Sequence, residues 1–325
     1  MNFSNQLKKR ARSERAAALI TVFWLIAVLS LLIFTTVRVL RNDVRLTISQ
    51  KKAFRAMQLA EMGIAVGVNP STKETDYLLL NREVYPGESF RVKIRGEGGK
   101  FNINAILQQA DEGDRLLQDI FAQWLSGSDI PGTEFRDAAD ELVEALRDWI
   151  DQDDMVTGLH GAENEYYFEL GFANYPFNRP FYSLDEMLLV RGMDQVIAAK
   201  RNWRDFFTIY SGGKLDMNEA DAEAISLATG AEIGAAEELV KMRWGEDGIE
   251  DTEDDYKFNS LAEVFPVLGV LEDPILQSRL TLNDNTKRIE SIGTVGDFRK
   301  KIEIVIRTQG RTPQILSREE VPLFD

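Results

Sequence analysis

Cysteine is absent from this 325-residue chain, and histidine occurs once, at His160. Without thiols no disulfide holds the fold and no cysteine nucleophile is available. The compartment stays open, because reducing and oxidising locations both tolerate such an absence. A glycine-rich phosphate loop, a G-x-S-x-G elbow and the H-E-x-x-H spacing of metalloproteases are also missing. His160 sits in a loop stretch near Glu163 and Glu165 and has only generic acid–base capacity. The sequence reads as that of a protein that is not an enzyme.

Positive charge is scarce beyond the first 16 residues. That leader carries Lys8, Lys9, Arg10, Arg12 and Arg15 against Glu14, a net +4, whereas the remainder has 33 basic residues against 52 acidic ones, a net −19. Such a surface repels phosphates, which excludes nucleic acid as a partner and favours divalent cations or basic surfaces. A hydrophobic fraction of 44% with 18 Phe supplies material for a packed core. The length suits two domains, or one domain with a large insertion.

From Ala16 to Val37 there is no charged residue. As a helix this stretch spans roughly 33 Å, enough to cross a hydrocarbon core. The basic leader would stay cytoplasmic, with everything after Arg38 on the periplasmic side of a bacterial inner membrane. A secretory signal peptide would have a shorter apolar region ending at a cleavage site. Here Val44, Ile48, Met57, Ala60, Ile64 and Val68 continue at helical spacing, which predicts one long helix, apolar then amphipathic, ending near Asn69 and Pro70.

Short strings spread along the chain carry a resemblance: RAAALITVFWLIAVLSLL, FNINAI from Phe101, DWIDQDD from Asp148, GAENEYY from Gly161, SLDEMLLVRGM from Ser183 and LDMNEAD from Leu215. In this order they resemble type IV pilins and type II secretion pseudopilins, and within that group the protein K family of minor pseudopilins. The resemblance implies processing and methylation by a prepilin peptidase. The matching junction is Ala16–Ala17, with Ala in place of the usual Gly and Ala17–Ala18 as the alternative bond. It further implies a fifth mature residue that lacks the glutamate of most relatives, here Thr21 (or Val22 for the alternative cut). A carboxylate in an apolar layer is costly without a partner cation, so a subunit lacking one suits a filament tip. The implied partners are minor pseudopilins I and J, then protein H and the major pseudopilin. The implied role is initiation of the pseudopilus and export across the outer membrane. A minor pilin of a type IV pilus or competence system, and a membrane-tethered, calcium-dependent periplasmic enzyme, are the alternatives.

Beyond the stem, Phe90, Val92 and Ile94 alternate as a half-buried strand does, as do Ile302, Ile304 and Ile306, and KRIESIGTV adds a third strand. Between them the chain reads as helix. Phe135, Ala138, Ala139, Leu142, Leu146, Trp149 and Ile150 form one stripe, and Ser183 and Ser260, each followed three residues later by Glu, mark helix starts. The openings NINAI and DMNEAD resemble helix-hairpin-helix or SAM-like units, read in these acidic surroundings as packing modules. The expected fold is α+β: a pilin-like N-terminal helix on a small antiparallel sheet, with a large α-helical insertion. The expected boundaries are 1–16 for the leader, 17–69 for the stem, 70–105 and 281–325 for the sheet, and 106–280 for the insertion.

Asp247, Glu250, Asp251, Glu253, Asp254 and Asp255 crowd a glycine-containing turn. Hard carboxylate oxygens at this density suit calcium, although the spacing is not that of an EF-hand and an acidic run is also what a solvated loop looks like. Calcium in the helical domain is also what the resemblance implies. Asp151, Asp153 and Asp154 form a second candidate set, equally compatible with the end of a helix.

Overall fold

The computed structural model describes residues 3–127, 134–309 and 312–323, with side chains from residue 19 onward. Its first element, α1 (Phe3–Gly67), is a continuous helix of 65 residues. The Ala16–Ala17 junction falls on the trace of this helix, but its side chains lie outside the described residues.

Among the described side chains of α1, those from Lys52 onward pack on the rest of the protein. Ala56, Leu59, Ala60, Gly63, Ile64 and Gly67 recur three and four apart and are buried, as one face of a helix requires. The amphipathic stripe expected from Val44 onward begins later than its spacing predicts. Val44 and Ile48 are 57% and 50% exposed, because the sheet does not reach that far down the helix.

The main sheet is built from β1 (Asn81–Tyr85), β2 (Glu88–Gly96), β7 (Thr286–Val295), β8 (Phe298–Gln309) and β9 (Thr312–Val321), in that spatial order and antiparallel throughout. Phe90, Val92 and Ile94 of β2, Ile289 of β7, and Ile302, Ile304 and Ile306 of β8 face α1 and form one core with it. The three expected strands are the centre of this sheet, and β1 and β9 are added at its edges.

Small residues set the distance between helix and sheet. A Cβ placed on Gly293 would meet the carbonyl oxygen of Ala56 at 2.0 Å and the nitrogen of Ala60 at 2.5 Å. Neither backbone atom can swing aside. Gly293→Ala is therefore expected to cost about 2–3 kcal/mol, measured by denaturation of the detergent-solubilised chain. Gly234→Ala, where an added Cβ meets nothing within 4 Å, should leave stability unchanged or slightly higher.

After the short α2 (Tyr77–Leu80), β1 and β2, the chain leaves the sheet at Gly96 and returns to it at Thr286. Those two ends are neighbours, with Gly96 opposite Lys287 in register and the Glu97 N–H donating to the Thr286 carbonyl at 2.8 Å. Between them lies the helical region: α3 (Ile103–Leu107), α4 (Asp111–Leu125), α5 (Glu134–Ile150), α6 (Asn164–Glu169), α7 (Met193–Ala199), α8 (Ala222–Thr229), α9 (Ile233–Arg243), α10 (Leu261–Leu268) and α11 (Pro274–Arg279). Two parallel two-residue pairs stitch its segments, β3 (Phe101–Asn102) with β4 (Phe207–Thr208) and β5 (Leu215–Asp216) with β6 (Leu280–Thr281). A separate core runs from Phe101 to Leu280 and contains Trp149, Trp203, Tyr167 and Phe121. The α5 stripe read from the sequence faces this core.

Charged joints fasten the two cores. Glu97, fully buried, accepts from Arg288 Nε at 2.8 Å and Nη2 at 2.6 Å, and from Thr208 Oγ1 of the helical region at 2.7 Å. Arg288 also pairs with Glu303 on β8. Burial by itself would raise the Glu97 carboxyl, but the bonds from Arg288 hold it below the ordinary carboxylate range. A second joint uses the loop after α1: Glu74 meets Lys287 of the sheet at 2.8 Å and Lys257 of the helical region at 3.6 Å.

Candidate functional site

The last turn of α5 presents Asp148, which is fully buried, and Asp151 follows just beyond the helix end. Glu163, the residue capping the start of α6, is only 4% exposed. Oxygens of these three carboxylates lie within 4.8 Å of one another. Thr157 donates its backbone N–H to Asp148 Oδ1 at 3.0 Å. Asp148 Oδ2, Asp151 Oδ1 and both oxygens of Glu163 are buried without a hydrogen-bond partner.

This arrangement is unfavourable as it stands. Buried carboxylates normally have donors, and acids at a helix C-terminus oppose the macrodipole. The energetic consequence appears in their acidity. Burial first, then the charges of Asp148 and Asp153, push Asp151 up to about 6. Burial, followed by Asp148 and Asp151, pushes Glu163 up to about 7. Asp148 is likewise raised, by burial. Gly161 completes the enclosure: a Cβ there would lie 2.2 Å from Asp148 Oδ2, so the loop closes over the carboxylate only with glycine at this position. Four orphaned hard oxygens in a pocket of negative charge match a divalent cation of the calcium type, which takes six to eight oxygen ligands.

Of the sequence candidates, Asp151 enters this cluster. Asp153 Oδ1 accepts from the Met155 N–H at 2.9 Å, and Asp153 and Asp154 are exposed. The 247–255 run forms a turn in which carboxylates bind the backbone of their own loop. Asp254 Oδ2 accepts from Glu246 N–H (2.7 Å) and Asp247 N–H (3.2 Å), Asp247 Oδ1 from Ile249 N–H (2.8 Å), and Asp255 Oδ2 from Asp251 N–H (2.8 Å). Thr252 Oγ1, donating to Asp254 Oδ1 at 2.8 Å, and those backbone donors hold Asp254 below its usual range. Asp251 adopts φ +65°, and burial, then Glu250, raises its carboxyl. Glu250 and Glu253 are exposed. Among the described residues, the three-carboxylate convergence occurs at Asp148, Asp151 and Glu163 and not within this turn.

His160 lies beside the cluster without joining it. Its Nδ1 is 3.4 Å from Glu141 and its backbone N–H donates to Glu144 at 2.7 Å. Thr21 lies on the bare part of α1, where side chains from Leu19 to Ile48 are exposed. Asp148 and Glu163 were not singled out as ligands by the sequence. Their signal is that two strings of the resemblance, DWIDQDD and GAENEYY, fold against each other.

Comparison with known proteins agrees with that resemblance. Residues 99–202, which contain the whole carboxylate cluster, match the family profile described as type II secretion system (T2SS), protein K. The type II secretion system protein K of Klebsiella pneumoniae is 35% identical over 100 residues, covering 30% of this chain and 29% of that protein. Its counterpart in Pseudomonas aeruginosa is 24% identical over 172 residues, 52% of this chain and 48% of that protein. The chain thus spans about half, or less, of the length of these relatives. In fold it is similar to a chain in the crystal structure of the GspK–GspI–GspJ complex from the enterotoxigenic Escherichia coli type 2 secretion system. That likeness has a TM-score of 0.58 and 17% identity, covering 87% of this chain and 99% of that one.

Proposed function

We propose that this chain, whose residues 99–202 match the family model of type II secretion system protein K, is the minor pseudopilin at the tip of the secretion pseudopilus. The observation that carries the proposal is the bare stem. α1 leaves Leu19, Phe23, Trp24, Leu25, Phe34 and their neighbours exposed over nearly half its length, and its most apolar stretch has a mean hydropathy of 2.5. A continuous apolar helix of this kind needs lipid or the stems of neighbouring subunits around it. It fits a single-pass membrane anchor whose basic leader is cytoplasmic and whose folded region is periplasmic.

In this role the chain acts by position, not by catalysis. Minor pseudopilins I and J would pack along the stem, with protein H and the major pseudopilin below. Thr21, at the fifth mature position, brings no carboxylate that would sit under another subunit's amine. Calcium at Asp148, Asp151 and Glu163 would tie the end of α5 to the start of α6 and supply the charge those oxygens lack. The 247–255 turn is a second, weaker calcium candidate.

Mass spectrometry of the chain co-expressed with an active prepilin peptidase tests the proposal. The expected product begins at Ala17, or at Ala18 for the alternative bond, and has lost the basic leader. A terminus still at Met1 beside a control pseudopilin that has been cut overturns it. Crosslinks from positions 22–45 to proteins I and J, absent with type IV minor pilins, would place it in secretion.

A further inference from the structure

The apolar span is followed at once by positive charge. Between residues 38 and 55, α1 carries Arg38, Arg41, Arg45, Lys51, Lys52 and Arg55 against the single acid Asp43, in a region whose remainder is strongly acidic. At about 100° per residue, Arg38, Arg41, Arg45 and Lys52 fall within an arc of roughly 60°, and Asp43 lies on the opposite side. Farther up, the same arc becomes the face that packs on the sheet.

Arg55 and Lys52 have neighbours. Arg55 Nε bonds Glu88 at 2.9 Å, and the Lys52 ammonium lies 5.8 Å from the ring centre of Phe298. Arg38, Arg41 and Arg45 are exposed and have no ion-pair partner among the described residues. They are not merely solvated on a polar face. Val37, Leu40 and Val44 lie beside Arg41 and Arg45 and line with them a shallow groove of about 340 Å³. Apolar floor and guanidinium rim together match the boundary between acyl chains and headgroups.

We propose that Arg38, Arg41 and Arg45 form a binding stripe for anionic phospholipid headgroups, in the leaflet on the side of the sheet. Two features select lipid over an acidic protein segment. The stripe continues the apolar span without interruption, so that, resting on the membrane-anchor reading proposed above, its first 10 Å or so at 1.5 Å per residue lie at headgroup depth. Its groove offers apolar surface as well as charge, which a phosphodiester with attached acyl chains uses and a solvated acidic peptide does not. Arginine suits the role because its planar fork binds phosphate oxygens in pairs.

The test reconstitutes the full chain in phosphatidylcholine bilayers containing trace spin-labelled phosphatidylglycerol or phosphatidylcholine and reads the fraction of each that is motionally restricted. Lys8, Lys9, Arg10, Arg12 and Arg15 are replaced by Gln in every sample, so that only one flank is read. The stripe should prefer phosphatidylglycerol by about fivefold or more at low ionic strength, with the preference screened away by high salt. Arg38→Gln/Arg41→Gln/Arg45→Gln should bring it close to one, while the matching triple Lys variant retains most of it. Equal restriction of the two lipids by the unsubstituted stripe, as expected if its partner were an acidic protein, overturns the proposal. So does a preference that survives the Gln variant.

Discussion

Replacing Arg288 with Met is expected to lower the stability of the chain by about 3–5 kcal/mol, the cost of stranding a buried charge. Glu97 is fully buried and Arg288 is its main cation, since Lys100 approaches only to 3.9 Å. Met keeps most of the volume, so the loss reports charge and not a cavity. The double variant Arg288→Met/Glu97→Gln separates the two causes: it should recover a large part of the loss, because the Gln oxygen still accepts from Thr208 and no carboxylate remains to be compensated. Chemical denaturation of all three chains checks this, and a double variant no more stable than the single one would assign the effect to packing. Glu97 has a folded pKa below its unfolded one. Its contribution is present above the unfolded value near 4.5 and is lost as pH falls through the folded value.

The carboxylate cluster is expected to behave in the opposite sense. Asp151 and Glu163 have folded pKa values raised to about 6 and about 7. Their contribution is therefore fully present below the unfolded values near 4 and is lost as pH rises through 6 to 7, a penalty on the order of a few kcal/mol for the metal-free chain. Calcium binds the ionised form and should reverse it. At a hundredfold to a thousandfold excess over the dissociation constant the gain is about 3–4 kcal/mol, a rise in Tm of several degrees for a chain of this size. Glu163→Gln gives a combination that nonspecific ion effects would not produce. At pH 7.5 the variant without metal should be more stable than the metal-free parent, yet lose most of its response to calcium. Thermal unfolding at pH 5.0 and 7.5, with calcium and with chelator, reads all four values. A parent chain whose Tm ignores both pH and calcium sinks the assignment.

Much of the architecture was legible in the sequence because it rests on period. The three central strands alternate because one face is buried against α1, and the α5 stripe repeats because one face meets the Trp149 core. Edge strands escaped for the same reason. In β9 every residue is exposed or only partly buried, so nothing forces alternation. The two serine caps were read correctly as helix starts, but their glutamates serve other partners: Glu186 pairs with Arg179 at 3.0 Å, and Glu263 accepts from Tyr256 Oη at 2.7 Å. The carboxylate cluster was the least legible feature. Carboxylates crowd in sequence at residues 247–255, whereas convergence in space depends on a loop folding back so that Gly161 touches Asp148. That contact joins residues 13 apart and leaves no periodic mark.

The adjacency of Gly96 and Thr286 has a mechanical consequence. A pull along α1 passes into the sheet through the close contacts at Gly63 and Gly293, and across β2, β7 and β8 by their ladder bonds. The 189 or so residues of the helical region enter and leave through two neighbouring strand ends, and its joints through Thr208 and Lys257 are side contacts, so it lies beside that load path and not in series with it. Tension that would strip the stem from the sheet leaves the helical region slack, as a passenger whose own unfolding neither relieves nor transmits the force.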